Sequence, residues 1–163
     1  MTLKNAPATE LVRAGALALT LHWRDGTLAR VRLRFARPND APGPGTEHGR
    51  RVQAALEAYA AGSAQGWPGL PLAWGQVSGF ARRVLTALRE QVPFGRTQTY
   101  GGLAALAGRP RAARAVGRVL ANKPWPLLVP CHRVLGADGR LTGFSSADGL
   151  EMKRFLLTLE GSL

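Results

Sequence analysis

The chain contains a single cysteine, Cys131, in 163 residues. An intrachain disulfide is therefore impossible, and a Cys-rich zinc site is excluded as well. No apolar run approaches the roughly 18 residues that a membrane-spanning helix needs. The first ten residues, MTLKNAPATE, lack the basic and apolar regions of a signal peptide. These absences predict a cytoplasmic protein with no membrane partner.

Acidic side chains are also scarce, because 10 Asp and Glu accompany 22 Lys and Arg, for a formal net charge of +12. The imbalance is strongest over residues 82–133, where ten basic side chains accompany one acidic side chain, Glu90. Such a field concentrates polyanions and favours nucleic-acid binding through phosphate contacts. A genome that prefers arginine codons would give the same composition, so charge alone does not decide between the two interpretations.

The first half of the chain predicts a small sheet and one helix. Residues 16–36 alternate between apolar and polar on both sides of Asp25-Gly26, a pattern that is typical of a β-hairpin. A loop rich in Pro and Gly leads to a helix predicted over 50–62, whose apolar side chains share one face: Val52, Leu56 and Tyr59. Residues 63–75 are irregular and are predicted to link two domains.

The second half is predicted to be mainly helical. Helices are expected over 78–92, 99–108, 110–121 and 150–161, and the first two begin at the N-cap candidates Ser78 and Thr99. The second and third of these helices have the spacing of a helix-turn-helix. The whole pattern predicts an α/β (α+β) fold. Residues 1–75 form a β-sheet and helix domain, and residues 76–163 form a helix-turn-helix domain that carries Cys131.

The helix that is predicted to begin at Pro110 has a basic face. Three arginines lie at i, i+3 and i+7: Arg111, Arg114 and Arg118. The residues beside them are small: Ala113, Ala115 and Gly117. A glycine costs about 1 kcal/mol of helix propensity, so this backbone favours close approach to a groove or to another backbone. An ordinary amphipathic helix with a solvated basic face is the alternative interpretation.

Cys131 stands in the sequence Val-Pro-Cys-His-Arg-Val. Pro130 fixes the backbone before it, His132 offers a neighbouring base, and Arg133 adds positive charge that favours a thiolate. A thiolate beside a base is an activated nucleophile. A buried structural cysteine next to a core histidine is the alternative, since adjacent residues need not face each other.

Two segments, TYGGLAALAGRPRAARAVGRVL and PWPLLVPCHRV, resemble the O6-alkylguanine-DNA alkyltransferase family. The resemblance covers residues 76–163, and the N-terminal hairpin and helix are similar to the family's variable first domain. It implies irreversible, stoichiometric transfer of an alkyl group from O6 of guanine to the motif cysteine, after minor-groove binding and nucleotide flipping. The implied partner is double-stranded DNA that contains alkylated guanine. The implied protein is a nucleoid-associated monomer that needs no cofactor and no metal. Cooperative binding and activity on O4-alkylthymine stay open.

The resemblance also assigns roles to individual residues. Cys131 is the alkyl acceptor, His132 deprotonates it through a water, and Glu160 orients the imidazole. Tyr100 donates a proton to a guanine ring nitrogen, and Arg114 fills the gap left by the flipped base. Further DNA contacts are expected from Thr99, Arg111, Ala113, Ala115 and Arg118. The guanine pocket is expected to include Trp125, Pro126, Val134, Phe144 and Ser145.

The sequence departs from the family pattern at three points. An Asn usually stands nine residues after the arginine finger, whereas here that position is Lys123 and the Asn is Asn122, which we assign to the catalytic group. The usual Gly-Tyr of the lid is Gly143-Phe144. The segment FSSADGL (residues 144–150) is also about two residues longer than in the family pattern, which puts the size of the pocket in question.

Three other functions compete with alkyl transfer. A non-catalytic alkyltransferase-like protein would bind alkylated bases and flag them for another repair pathway, but relatives of that class replace the cysteine. A transcriptional regulator would need a second DNA-binding module, which these 163 residues do not suggest. A cysteine hydrolase would use the same Cys-His-Glu set but would release its acyl group to water.

Overall fold

The computed structural model describes residues 8–41 and 43–163. Residues 1–7, most of the segment that lacks a signal-peptide pattern, lie outside the described residues. The chain falls into two compact units that divide between Ala73 and Trp74, whereas the sequence places the boundary after residue 75. None of the helices in the described part of the chain has the length and apolar character that crossing a bilayer requires.

The first unit is a three-stranded antiparallel sheet with one helix. Its strands, in spatial order, are β1 (Thr9–Ala14), β2 (Leu17–Arg24) and β3 (Thr27–Phe35), and α1 (Glu47–Ala60) follows them. The predicted hairpin is β2–β3, and Asp25 and Gly26 both have positive φ, 50° and 77°, as its two-residue turn requires. Strand β1 was not predicted from the sequence.

Cross-strand triplets form the core face of this sheet. Val12, Leu19 and Leu33 lie opposite one another and are buried, whereas Arg30 and Arg32 on β3 point to solvent. The predicted apolar face of α1 is buried as well. The helix begins at Glu47, three residues earlier than predicted, because Thr46 is its N-cap. The Thr46 side chain accepts a hydrogen bond from the Gly49 N–H.

Both edges of the sheet are covered at one point by the chain itself. On β1, the Gln53 side chain accepts from the Arg13 N–H (3.0 Å) and donates to the Arg13 carbonyl (2.6 Å). On β3, the Leu28 N–H donates to the Pro71 carbonyl (2.7 Å), and the Ala73 N–H donates to the Leu28 carbonyl (3.1 Å). The end of the predicted linker therefore belongs to the first unit.

The second unit carries four helices and a short parallel strand pair. These elements are α2 (Gly79–Gln91), β4 (Gln98–Thr99), α3 (Tyr100–Leu106), α4 (Ala113–Ala121), β5 (Val134–Leu135) and α5 (Gly149–Leu159). Helices α2, α3 and α4 pack on one another around the fully buried Val84, Leu88, Leu103 and Val116. Ser78 and Thr99 cap α2 and α3, as predicted. The mixed α/β class predicted from the sequence is confirmed.

Helix α4 begins at Ala113 and not at Pro110. The Ala112 N–H donates to the Arg109 carbonyl (3.0 Å), which closes a turn with Pro110 in its second position. The fixed φ of proline suits that position of a turn as well as it suits the first position of a helix. Arg111 therefore precedes the helix and does not share a helical face with Arg114.

Candidate active site

A short 3₁₀ turn, Cys131–Arg133, holds the central side chains of the site. The chain enters it through a buried turn in which the Val129 N–H donates to the Trp125 carbonyl (3.0 Å). Leu127 in that turn has φ of +72°, a conformation that costs a non-glycine residue of the order of 1 kcal/mol or more. The surrounding packing therefore fixes the backbone just before Cys131.

His132 is fully buried, and its Nε2 is hydrogen-bonded to Oε2 of Glu160. Burial lowers the pKa of His132 below its ordinary value, although the Glu160 carboxylate opposes that shift. The imidazole is therefore neutral at pH 7, and a carboxylate partner requires Nε2 to carry the proton. Nδ1 is the basic nitrogen, and it has no hydrogen-bonding partner among the described residues.

Arg133 binds the same carboxylate from the other side. Its Nε donates to Oε1 of Glu160 (2.7 Å), its Nη1 donates to the Val92 carbonyl (2.8 Å), and the Gly95 N–H reaches Oε1 at 3.3 Å. The guanidinium is paired with Glu160, which offsets the positive charge expected from Arg133 beside Cys131. Glu160 therefore fixes both the imidazole of His132 and the turn that carries the cysteine.

Lys153 supplies the cation that the sequence analysis missed. Its side chain is 1% exposed, and Nζ donates to the carbonyls of Val134 (2.6 Å) and Thr142 (3.1 Å). Burial lowers the pKa of Lys153 to about 8, an effect that the nearby Cys131 opposes and Lys123 reinforces. The sequence signal that could have revealed this buried lysine is its spacing on α5, which places it on the same face as Leu156 and Glu160.

Cys131 lies at a cavity of about 660 Å³, a size typical of small-molecule sites. Its own surface is only 3% exposed. One wall is α4 and the other is the lid, which we define as Thr142–Ser145. The full lining consists of Tyr100, Ala113, Arg114, Gly117, Leu120, Ala121, Lys123, Cys131, Thr142, Gly143, Phe144 and Ser145.

Tyr100 lines the cavity from the first position of α3. The Thr99 cap fixes the start of this helix, because its hydroxyl accepts from the Gly102 N–H (2.9 Å). The Thr142 hydroxyl donates to the Tyr100 hydroxyl (3.0 Å). The phenolic proton is therefore available to an acceptor inside the cavity.

Helix α4 presents the expected basic and small residues. Arg114 and Arg118 are exposed, and Ala113, Arg114 and Gly117 line the cavity, while Ala115 is half-buried. A Cβ atom added at Gly117 would meet no other atom within 4 Å. Packing inside the protein therefore does not require glycine here. Arg111 is exposed in the turn that precedes α4.

The predicted pocket is present only in part. Phe144 and Ser145 line the cavity, but Trp125, Pro126 and Val134 do not. Trp125 is fully buried with its ring edge-on to Trp74, at 4.8 Å between ring centroids. Pro126 is buried in the turn before Cys131, and Val134 is buried in β5. These three residues are buried and do not line the cavity.

The assignment of Asn122 to the catalytic group is wrong. Asn122 is exposed, and its side chain donates to the Arg118 carbonyl (2.9 Å) at the end of α4. Lys123 lines the cavity instead, and Nζ donates to the Leu120 carbonyl (3.1 Å) and the Ser145 hydroxyl (2.8 Å). The helix end is not shifted by one residue, so a lysine occupies the position that the family pattern gives to asparagine.

No cluster of three or more His, Cys, Asp or Glu suited to a metal ion exists among residues 8–41 and 43–163. The site combines the Cys131 thiol with the neutral imidazole of His132, the buried carboxylate of Glu160 and the buried amine of Lys153. This set can activate the sulfur as a nucleophile and protonate a leaving group.

Comparisons with known proteins agree with this geometry. The family model described as 6-O-methylguanine DNA methyltransferase, DNA binding domain, matches residues 79–162. The methylated-DNA–protein-cysteine methyltransferase of Methanosarcina acetivorans is 46% identical over 113 residues, 69% of each chain. The relative of that name from Mycolicibacterium paratuberculosis is 40% identical over 146 residues, 87% of this chain and 85% of the relative. The structure of Mycobacterium tuberculosis OGT in complex with DNA has a TM-score of 0.76 at 35% identity, and the match covers 94% of this chain and 93% of that one. This chain therefore belongs to the methylated-DNA–protein-cysteine methyltransferase family of DNA repair proteins.

Proposed function

We propose that this protein repairs O6-alkylguanine in double-stranded DNA by moving the alkyl group to Sγ of Cys131, once per molecule. The observation that carries the proposal is the setting of Cys131. The sulfur lies at a cavity beside α4, next to a neutral His132 whose Nδ1 is unpartnered among the described residues and whose other nitrogen is held by Glu160.

Binding to DNA begins with phosphate contacts. Exposed arginines lie on α4 and in the turn before it, and one of them, Arg114, also lines the cavity: Arg109, Arg111, Arg114 and Arg118. They supply the sequence-independent attraction, and the bare surface at Ala113 and Gly117 lets α4 approach the minor groove. Because these contacts release counterions, raising the salt concentration should weaken binding steeply.

The alkylated guanine is then extruded into the cavity. Extrusion costs a few kcal/mol, and Arg114 offsets part of that cost by occupying the vacated space in the stack. Arg114 suits this role because its side chain is exposed while its helical turn lines the cavity.

Transfer is a displacement at the alkyl carbon. His132 Nδ1 takes the thiol proton through a water, and Glu160 stabilises the imidazolium that forms, while Lys153 favours the thiolate. The S–C bond forms as the C–O6 bond breaks, with the sulfur in line with the leaving oxygen. Tyr100 donates a proton to a ring nitrogen, so the guanine leaves neutral, and the proton that His132 took from the thiol returns through solvent to the Tyr100 phenolate. The thioether is stable to water, so the protein does not turn over.

Intact mass before and after incubation with a duplex containing O6-methylguanine tests this proposal. We expect the mass of one transferred methyl group, located on the peptide that contains Cys131. The matched variant is Cys131→Ser, which should bind the duplex and gain no mass. A wild-type protein that binds the lesion tightly without a mass change would instead be the non-catalytic lesion binder. Turnover beyond one equivalent on a small ester would indicate a hydrolase.

The proposal also covers the cellular location and the oligomeric state of the protein. We expect a monomer that acts on chromosomal DNA in the cytoplasm, with O6-alkylguanine as its target. Sedimentation of the free protein and of the protein on duplexes of increasing length would test both the monomer and cooperative binding.

A further inference from the structure

We propose that Lys123 is a positioning residue that fastens the lid to the end of α4 and thereby sets which alkyl groups reach Cys131. The inference rests on the proposed function, because it concerns selection among substrates of the same cavity. Its consequence is that small alkyl groups are favoured over bulky ones by a contact that can be removed.

Lys123 lies where the two walls of the cavity meet. Lys123 is 7% exposed and directly follows Asn122, the C-cap residue of α4. Nζ donates to the Leu120 carbonyl on α4 (3.1 Å) and to the Ser145 hydroxyl on the lid (2.8 Å). It also lies 4.9 Å from the centroid of the Phe144 ring. One ammonium group therefore contacts both walls.

Each of these contacts favours the tied arrangement. The Leu120 carbonyl belongs to the last turn of α4, where a cation is stabilised by the helix dipole. The Ser145 contact is a charge-assisted hydrogen bond, and the Phe144 ring offers its face to the cation. A nearly buried ammonium is costly unless it is bonded, so Lys123 is not expected to leave both partners together.

The other end of the lid is anchored separately. Thr142 contacts the Tyr100 hydroxyl through its side chain and the Lys153 ammonium through its carbonyl. Gly143, which comes next, is exposed. Thr142 is thus held by the reaction machinery, while Phe144 and Ser145 are held by Lys123. Removing the lysine contact should free the outer part of the lid and leave the anchored end in place.

The freed lid should widen the mouth of the cavity. A methyl group needs little room and gains nothing from a wider mouth, whereas a benzyl group gains access. The ratio of the benzyl to the methyl transfer rate is therefore the measurement that isolates the role of Lys123. A residue that only supports the fold would change both rates together.

The experiment compares single-turnover rates on one duplex that carries either O6-benzylguanine or O6-methylguanine. Lys123→Met keeps the volume of the stem but removes the ammonium, and it should raise the benzyl-to-methyl ratio about tenfold. Ser145→Ala removes one acceptor and should raise the ratio roughly threefold. The double variant should match Lys123→Met alone, because both substitutions remove the same contact.

Arg154→Met is the matched control, since it removes a positive charge from an exposed position on α5. It should leave the ratio unchanged. An unchanged ratio in Lys123→Met, or effects of the two substitutions that simply multiply, would overturn the lid role. If Lys123→Met does not fold, Ser145→Ala decides alone, and an unchanged ratio there overturns the proposal too. Absence of any thioether in the wild type would refute the proposed function itself, an outcome distinct from the others.

Discussion

Two buried carboxylates, one in each unit, look alike by burial but differ in what surrounds them. Glu10 in the first unit is 6% exposed and Glu160 in the second is 5% exposed. Glu10 accepts from the Trp23 indole (2.6 Å), from the Gly45 and Thr46 N–H groups (2.8 and 2.7 Å) and from the Thr46 hydroxyl (2.7 Å). These donors fix the loop that precedes α1.

Glu160 has partners of another kind. His132, once bound to Glu160, still has a basic nitrogen without a partner among the described residues, and it adjoins a cysteine at a cavity. Arg133 and the Gly95 N–H complete the carboxylate's shell. A buried, well-bonded carboxylate therefore indicates a reactive site only where one of its partners keeps a reactive atom. The same charge is structural in the first unit, and on the proposed scheme it takes part in the chemistry of the second.

Paired substitutions of the two carboxylates give the largest expected effect. Glu160→Gln should lower the transfer rate about 100-fold or more, because the imidazolium loses its counter-charge. Glu10→Gln should leave that rate nearly unchanged and lower the free energy of unfolding by about 1–3 kcal/mol, since an amide group would face donors. Single-turnover kinetics and urea unfolding measure the two quantities. Equal loss of transfer in both variants would break the comparison.

A second comparison between the units uses one exposed arginine from each. Arg114→Ala should slow transfer from duplex DNA roughly tenfold, because extrusion loses its support. Its affinity for undamaged duplex should fall much less. Arg32→Ala, on the sheet of the first unit, should change neither quantity appreciably. Transfer from free O6-benzylguanine, which needs no extrusion, serves as the internal control, and a similar slowing there would contradict the finger role of Arg114.

Buried charge should make stability depend on pH through Lys153. Its pKa is about 8 in the folded protein and near 10.5 when unfolded, so between these values the unfolded chain binds a proton that the folded chain lacks. The free energy of unfolding should therefore rise with pH in that window, by up to about 1.4 kcal/mol per pH unit, and should level off below pH 8. Lys153→Met should lose this rise when unfolding is followed at several pH values.

Substitutions of two glycines, one in each unit, should give the smallest changes, and these should be opposite in sign for stability. A Cβ at Gly49 would meet the Glu10 carboxylate and lie 2.8 Å from Pro44 Cβ, so Gly49→Ala should destabilise the protein. Gly117 has open space around it, so Gly117→Ala should stabilise the free protein by about 1 kcal/mol. The same substitution should weaken DNA binding by holding α4 away from the groove. Unchanged binding by the more stable variant would remove the argument for close approach.

Much of the fold could be predicted because local signals decide it. The Asp25-Gly26 turn and the Ser78 and Thr99 caps each act within a few residues. Strand β1 has no such signal, because its Glu10 interrupts the alternation and is buried only through partners more than ten residues away. The start of α4 was misplaced because Pro110 fits a turn and a helix start equally well.

The site was predictable where adjacent residues carry it and not where the fold assembles it. Cys131 and His132 stand together in the sequence, so their pairing could be proposed from the motif. Lys123 reaches the cavity only because the fold brings Ser145 to the end of α4, and Lys153 is buried only because α5 packs beside the carbonyls of Val134 and Thr142. A basic chain offers many such lysines and arginines, and sequence alone does not distinguish a solvated one from a buried one.

The low exposure of Cys131 has a chemical consequence beyond the proposed reaction. On the proposed scheme a molecule that reacts with the wrong electrophile or oxidant is lost for its task. Cys131 is 3% exposed and lines the cavity, so on that scheme a stray reagent would reach the thiol through the space that the guanine enters. The walls proposed to select the substrate would then also preserve the unreacted protein until a damaged base arrives.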